Sequence, residues 1–245
     1  MNEQQHNPYI IPLSIVISGV LVAAAVMYTA DSGSTRTTAQ VGAAAGGGNA
    51  PTKPEGNGNA DAVKAVVGED HILGDPSAPV KIVEFSDLEC PFCSRFHETM
   101  KQIMDEYGKS GKVAWVYRHF PLESIHSSAR AAANGAECAT ELGGSTKFWA
   151  FIDTVFERQG NGLSLAMISQ VAEDIGLNRA AFDLCVSSGK HNGTIDAHLQ
   201  DALASGGLGT PYSIVIAADG RKLPVSGALP FASIKSTIEQ ALGAK

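Results

Sequence analysis

One stretch, residues 80–107, constrains this chain more than any other: VKIVEFSDLECPFCSRFHETMKQIMDEY. Residues 80–85 are largely apolar and β-branched and read as a buried strand. Phe96, Met100, Ile103 and Tyr107 recur at i, i+4, i+7 and i+11, which is one face of a helix. Cys90-Pro91-Phe92-Cys93 sits where strand gives way to helix. Proline is favoured at the first helical position, so Pro91 predicts Cys90 at the helix N-terminus. Free backbone N–H groups and the positive end of the helix dipole stabilise a thiolate there. The Cys90 pKa should therefore fall below its ordinary value of about 8.5. Cys93 lies one turn on, placed to attack a mixed disulfide formed at Cys90. The two read as a nucleophile and its resolving partner.

Blander chemistry also fits two cysteines at this spacing. They can be half of a zinc site, which needs two more ligands, and the chain has no second CxxC. His97, four residues after Cys93, offers a third ligand, although a histidine there is ordinarily just a partly exposed helix residue. Two inert structural thiols are the other reading, but a strand–CPxC–helix joint is not where such thiols collect. The expectation is redox chemistry, with no metal site and no cofactor beyond the Cys90–Cys93 disulfide.

A strand ending in Glu-Phe, a short turn, CPxC and a helix resembles the thioredoxin fold and, within it, the bacterial disulfide oxidoreductases of the DsbA type. The resemblance covers about residues 66–243. It implies that Glu84, six residues before Cys90, is a buried acid under the thiols that shuttles protons when Cys93 must be deprotonated. A solvent-facing strand carboxylate is the competing reading, since Val83 and Phe85 point to the opposite face. Pro91 and Phe92 form the inner dipeptide, where the best-known periplasmic oxidant of the family carries Pro-His. Phe92 brings neither charge nor donor to a thiolate. The expected potential therefore lies between about −270 mV, the thioredoxin value, and about −120 mV, that of the strong oxidant.

The same resemblance assigns Thr210 and Pro211, which open the strand after a helical block, to substrate binding. Pro211 is implied to be cis and to face the CPFC motif, with an ordinary trans proline at a strand start as the alternative. A cis proline would present the Thr210 backbone beside Cys90, where an extended substrate can add as a strand. Cys138 and Cys185 both fall in the helical block. Four cysteines in an exported domain favour pairing, and some DsbA-like relatives carry a second, structural disulfide in this insert. Two buried free thiols are the alternative.

Upstream lie three unlike regions. Residues 1–9 are a polar tail, taken as cytoplasmic from the redox chemistry downstream. Residues 10–30 carry no charge and are mostly Ile, Val, Leu and Ala. As a helix they span about 30 Å, one bilayer crossing. The run is longer than a cleaved signal's core and has no basic segment before it, so a single-pass signal anchor is the expectation. Residues 31–61 are Gly, Ala, Ser, Thr, Asn and Pro, the composition of a disordered tether. The folded domain is expected over residues 62–245.

Within that domain, residues 71–73 read as a short strand, and residues 113–117 as a second buried strand, parallel to the one at residues 80–85 through a βαβ crossover. Helical patterns then fill the block at about residues 123–206. Strands at 212–217 and 221–225 and a closing helix at 231–242 complete an α/β thioredoxin fold, a central mixed sheet flanked by helices with an all-helical insert. The other histidines, His119 and His126 among them, read as structural or exposed. A net charge of −7 without a basic run argues against nucleic acid, and no phosphate-binding glycine loop joins a strand to a helix.

The function expected is an extracytoplasmic, membrane-tethered protein disulfide oxidase acting on reduced or unfolded exported proteins. The resemblance implies reoxidation by a quinone-linked membrane oxidase of the DsbB or vitamin-K-epoxide-reductase (VKOR) type. A reductase or isomerase working in the opposite direction is the alternative, and a redox-inert, chaperone-like peptide binder is a third reading.

Overall fold

Strand β2, Val80–Ser86, is buried along its length except at Lys81, and β3, Val113–His119, is buried at every position. Strands covered on both faces have no polar side to show, which is why they read as near-continuous apolar runs. The computed structural model describes residues 59–243. The tail 1–9, the apolar span 10–30 and the tether up to residue 58 lie outside the described residues. Among the described residues no helix is long and apolar enough to cross a membrane. Asn59 opens a short 3-10 turn, Ala60–Ala62, and its amide reaches the Ala204 carbonyl at 3.3 Å. Residues 59–61, counted with the tether by composition, thus join the fold.

The described strands form one sheet in the order β1-β3-β2-β4-β5, with β1 at His71–Leu73, β4 at Tyr212–Ile216 and β5 at Lys222–Ser226. β2 and β3 are parallel, as the strand–helix–strand pattern predicts, and the other neighbours are antiparallel. The register places Tyr117 and Ser213 on either side of Glu84, and His119 beside Ser86. Val80, Ile82, Trp115, Tyr117 and Val215 belong to the larger core cluster, whereas Val83, Phe85, Val116, Tyr212 and Ile214 belong to the smaller one across the sheet. Glu84 shares the first of these faces, so the two-residue period that could have turned it toward water turns it into the main core instead.

Helix α1, Pro91–Ile103, crosses from β2 toward β3 and ends in a π-turn at Met104–Gly108. The insert comprises α2 (Ala129–Gly143), α3 (Ser145–Arg158), α4 (Leu165–Asp174), α5 (Arg179–Ser188) and α6 (Asn192–Ala204). α2 is rich in small residues because its neighbours come close: a Cβ on Gly135 would lie 2.8 Å from the Phe151 ring. Asn178 caps α5 by accepting from the Ala181 amide at 2.9 Å, as its position before that helix predicts. α2 begins only at Ala129, because residues 122–128 are drawn into contacts with the CPFC loop described below. Helix α7, Phe231–Leu242, closes the main core with Ile234 and Ile238.

Buried Arg118 on β3 ties down the N-terminal arm. It donates to both Asp70 carboxylate oxygens at 2.8 Å, to Asp201 on α6 at 2.6 Å, and to the carbonyls of Lys64 and Ala65. A desolvated cation is stable only when its donors are satisfied this fully. The arm therefore stays put and leaves the opposite sheet face to the thiols.

Candidate active site

Cys90 is the N-cap residue of α1 and Pro91 stands in the first turn, so the helix begins where the sequence places it. The Cys93 and Ser94 amides both point back at the Cys90 carbonyl, at 3.1 and 3.2 Å. Both residues are buried, Cys90 at 4 % accessible and Cys93 fully. Both are free thiols. Their surroundings nonetheless split them apart. The Cys93 thiol, the Thr210 side chain and the backbone N–H groups of Cys93 and Phe92 stabilise the Cys90 thiolate against the cost of burial, and bring its pKa down to about 6. Burial first, and then the Cys90 charge, push the Cys93 thiol well above its ordinary value. The Asp87 amide gives Cys93 Sγ one long contact, 3.5 Å. One sulfur is a ready thiolate at neutral pH and the other is not.

The Thr210–Pro211 peptide bond is cis. The Thr210 carbonyl lies 3.6 Å from Cys90 Sγ, which places a free strand-like backbone edge beside the nucleophile. A shallow groove of about 280 Å³ runs along it, lined by Leu208, Gly209, Pro211, Tyr212 and Ser226. Leu208, Phe92 and Ile125 are exposed apolar side chains on the segments around the thiols. Phe92 is 55 % exposed. The Arg95 guanidinium lies over its ring, 5.5 Å from the centroid. Of Phe92 it is the backbone N–H, not the side chain, that acts on the Cys90 thiolate.

Glu84 is fully buried, and burial pushes its pKa up to about 7, against the pull of Ser86, His97 and Trp115. Its Oε2 accepts from the Trp115 indole at 2.9 Å, while no described residue hydrogen-bonds Oε1. Ser86, one repeat along the same strand face, influences both Glu84 and Cys93. The acid therefore sits near its own midpoint at neutral pH. The residues read from the sequence as the reacting set, Cys90, Cys93, Glu84, Thr210 and Pro211, come together at one end of the sheet. Phe92 stands at the rim.

His97 differs from its expected exposure. It is almost wholly buried, packs on Trp115 and Phe156, and its Nε2 meets Asp153 of α3 at 2.5 Å. α3 lies over this turn of α1, which a pattern read from α1 alone cannot reveal. Asp87 went unnoticed in the sequence. Its side chain is fully buried, with Oδ1 accepting from the Glu89 amide and Oδ2 from the Leu122 amide, each at 2.8 Å. His126 Nδ1 lies 2.8 Å from the same Oδ2. Glu89 in turn accepts from the Ser128 amide, and Gln159 donates to the Leu88 carbonyl. The insert is thereby bolted to the CPFC loop. The one local signal was an acid two residues before another N–H, the usual spacing of an Asx-turn.

Cys138 of α2 and Cys185 of α5 form a disulfide, closing a separation of 47 residues with Cα atoms 5.9 Å apart. It lies in the insert, away from CPFC in sequence and on different elements.

Comparison with known proteins agrees with this arrangement. The family profile described as thioredoxin matches residues 66–240. Among solved structures, α-DsbA1 of Wolbachia pipientis superposes with a TM-score of 0.65 at 22% identity, covering 75% of this chain and 96% of that one. DsbA2 of Pseudomonas aeruginosa superposes at 0.61 with 26% identity, covering 74% and 98%. Oxidised BdbD of Bacillus subtilis gives 0.61 at 20% identity, covering 70% and 92%. Curated relatives include Na(+)/H(+) antiporter NhaA 3 of Salinispora tropica, 32% identical over 146 residues, which is 60% of this chain but 21% of the relative. NhaA 1 of Mycolicibacterium gilvum is 35% identical over 138 residues, again 21% of its length. The chain spans about a fifth of the length of these relatives, and the antiporter name is that of the whole proteins.

Proposed function

The chain belongs to the thioredoxin family, as a DsbA-type oxidoreductase, and from that premise we propose that it introduces disulfides into reduced exported proteins from the outer side of the cytoplasmic membrane. The observation that carries this reading is the split between the two thiols. The reduced protein holds Cys90 as a thiolate with a pKa of about 6, while Cys93 stays protonated. Whatever stabilises the reduced form more than the disulfide makes the disulfide a better oxidant.

Two electrons pass from the substrate to this chain, one proton ends on Cys93, and Cys90 ends as a thiolate. A substrate thiolate, lying as an added strand along the Thr210 edge, attacks Cys90 Sγ of the Cys90–Cys93 disulfide. The S–S bond breaks and Cys93 leaves as a thiolate, which its surroundings disfavour. Glu84, half protonated near pH 7 and buried on the strand that leads to the thiols, supplies the proton. The substrate's second thiolate then attacks its own sulfur in the mixed disulfide, and Cys90 departs as the stabilised thiolate. The substrate leaves oxidised and this chain reduced.

Residues 10–30 would anchor the domain and residues 31–58 would let it range roughly 30 Å above the bilayer. A quinone-linked membrane oxidase of the DsbB or VKOR type would return the dithiol to the disulfide. The poise proposed lies between about −270 and about −120 mV, since the Phe92 side chain adds no donor at the thiolate. Trapping the chain in cells with acid and an alkylating reagent tests the direction. The expected result is Cys90–Cys93 mostly as the disulfide. A pair found mostly as dithiol sinks the oxidase reading and favours the reductase or isomerase.

A further inference from the structure

The sheet face that carries Glu84 holds a second cluster toward its β1 edge, which the thiol chemistry does not use. His71 on β1, His119 on β3 and Glu137 on α2 converge there. His71 Nε2 lies 3.0 Å and His119 Nε2 3.1 Å from the same oxygen, Glu137 Oε1. One donor atom from each of the three residues lies within 4.8 Å of the other two. All three residues are buried. Both imidazoles crowd onto Oε1, and no described residue hydrogen-bonds Oε2.

The rings are held in place by their surroundings. His71 lies flat against Phe148, with centroids 3.6 Å apart. His119 meets the Tyr117 ring edge-on at 5.4 Å, and its backbone N–H donates to His198 Nδ1 at 3.3 Å. The three donors come from separate elements, 66 and 18 residues apart in the contacts they make. A site of this kind is assembled by the fold and leaves no spacing motif in the chain. Two imidazole nitrogens and a carboxylate oxygen form a donor set that suits zinc. In a zinc tetrahedron with bonds of about 2.0–2.1 Å, neighbouring ligand atoms are about 3.3 Å apart. The two nitrogen–oxygen separations fall within a few tenths of an ångström of that, and the ligand atoms of the two histidines lie within 4.8 Å of each other.

We propose that His71, His119 and Glu137 bind one Zn²⁺ ion, leaving a fourth position for water. The ion would pin the three-residue edge strand β1 to β3 and to the insert, at the end of the sheet where Ser86 pairs with His119.

The test uses the full chain in detergent, with Cys90–Cys93 oxidised so that neither active-site sulfur can ligate, stripped with a chelator and titrated with Zn²⁺ against a chromophoric chelator. The expected result is one equivalent bound with sub-micromolar affinity. His119→Gln should weaken it by more than about 100-fold, beyond the usual cost of losing an outer-shell partner. His191→Gln, beside the disulfide, should leave it unchanged. X-ray absorption at the zinc edge should show nitrogen and oxygen at about 2.0 Å, including imidazole, and no sulfur. If circular dichroism shows His119→Gln misfolded, His71→Gln takes its place, and the absorption spectrum of the unaltered chain decides in either case. Failure of the unaltered chain to hold zinc, equal binding by a folded ligand variant, or sulfur in the spectrum overturns the proposal.

Discussion

The chain carries two cysteine pairs that burial does not distinguish. Cys90 and Cys93 are 4 % and 0 % exposed, and Cys138 and Cys185 are 0 % and 6 % exposed. One pair is a free dithiol and the other a disulfide. The difference lies in where the backbone puts each sulfur. Cys90 stands at the N-terminus of a helix, where the Cys93 thiol and the Cys93 and Phe92 N–H groups favour its thiolate, and buried Glu84 lies on the strand that leads into it. Cys138 and Cys185 lie inside α2 and α5, where the amides are already engaged in the helices and offer a thiolate nothing. Reactivity here is a property of helix ends and neighbouring carboxyls, and sulfur in a helix interior is left to serve as a cross-link.

The sharpest break in this comparison is at the nucleophile. Cys90→Ser should abolish thiol exchange with a reduced peptide, and Cys93→Ser should accumulate mixed disulfides that gel mobility resolves. Cys138→Ser with Cys185→Ser should leave the exchange rate unchanged. Exchange surviving in Cys90→Ser, or lost in the insert double variant, would reverse the assignment of the pairs.

The insert bridge should show its effect in stability. Closing a separation of 47 residues corresponds to about 4 kcal/mol on the chain-entropy account. Denaturant unfolding of the double variant should register a loss of that order, while the Cys90 thiol still titrates near pH 6. A double variant as stable as the parent would show that packing between α2 and α5 holds the insert without the bridge.

Glu84 gives the next effect. Its pKa rises from an ordinary 4.5 to about 7 on folding. The folded state thus holds this proton more tightly than the unfolded chain, and stability falls as pH climbs from about 4.5 to about 7, then levels off. The shift corresponds to roughly 3 kcal/mol. Glu84→Gln keeps an oxygen for the Trp115 indole and should remove this slope, making the variant relatively more stable at pH 8 than at pH 4. It should also slow the steps that protonate or deprotonate Cys93. An unchanged slope in unfolding curves, together with unchanged exchange rates from pH 6 to 9, would separate Glu84 from the thiols.

The smallest effect concerns Phe92. An imidazole at this rim position could donate to the Cys90 thiolate, so Phe92→His should raise the reduction potential by at most about 30 mV, the equivalent of one pKa unit. Equilibration with a glutathione buffer reads that shift. Its absence would mean that the Cys93 thiol, Thr210 and the backbone N–H groups set the Cys90 thiolate whatever side chain stands at position 92.

What the sequence made legible follows the same division. Strand, CPFC and helix are contiguous, so the Cys90 cap and the Pro91 helix start could be read directly, and α7 matches its pattern at both ends. Pro211 and the Cys138–Cys185 bridge came through resemblance, since nothing local reports a peptide isomer or a sulfur partner 47 residues away. The burial of His97 was hidden because α3, which covers it, begins 48 residues later. Asp87 meeting His126, and His71 meeting His119 and Glu137, were hidden for the same reason: each is made where the insert folds back over the sheet. Local chemistry was readable and tertiary chemistry was not.

The central claim is that one sulfur of the CPFC pair is a thiolate at neutral pH and the other a thiol. Alkylation of the reduced chain across pH 4 to 10, a span bracketing the ordinary thiol value, with the modified residue identified by mass spectrometry, tests this directly. The predicted result is modification at Cys90 alone with a midpoint near pH 6, and no reaction at Cys93 until well above pH 9. Modification first at Cys93, or a Cys90 midpoint near its ordinary value, would contradict the account.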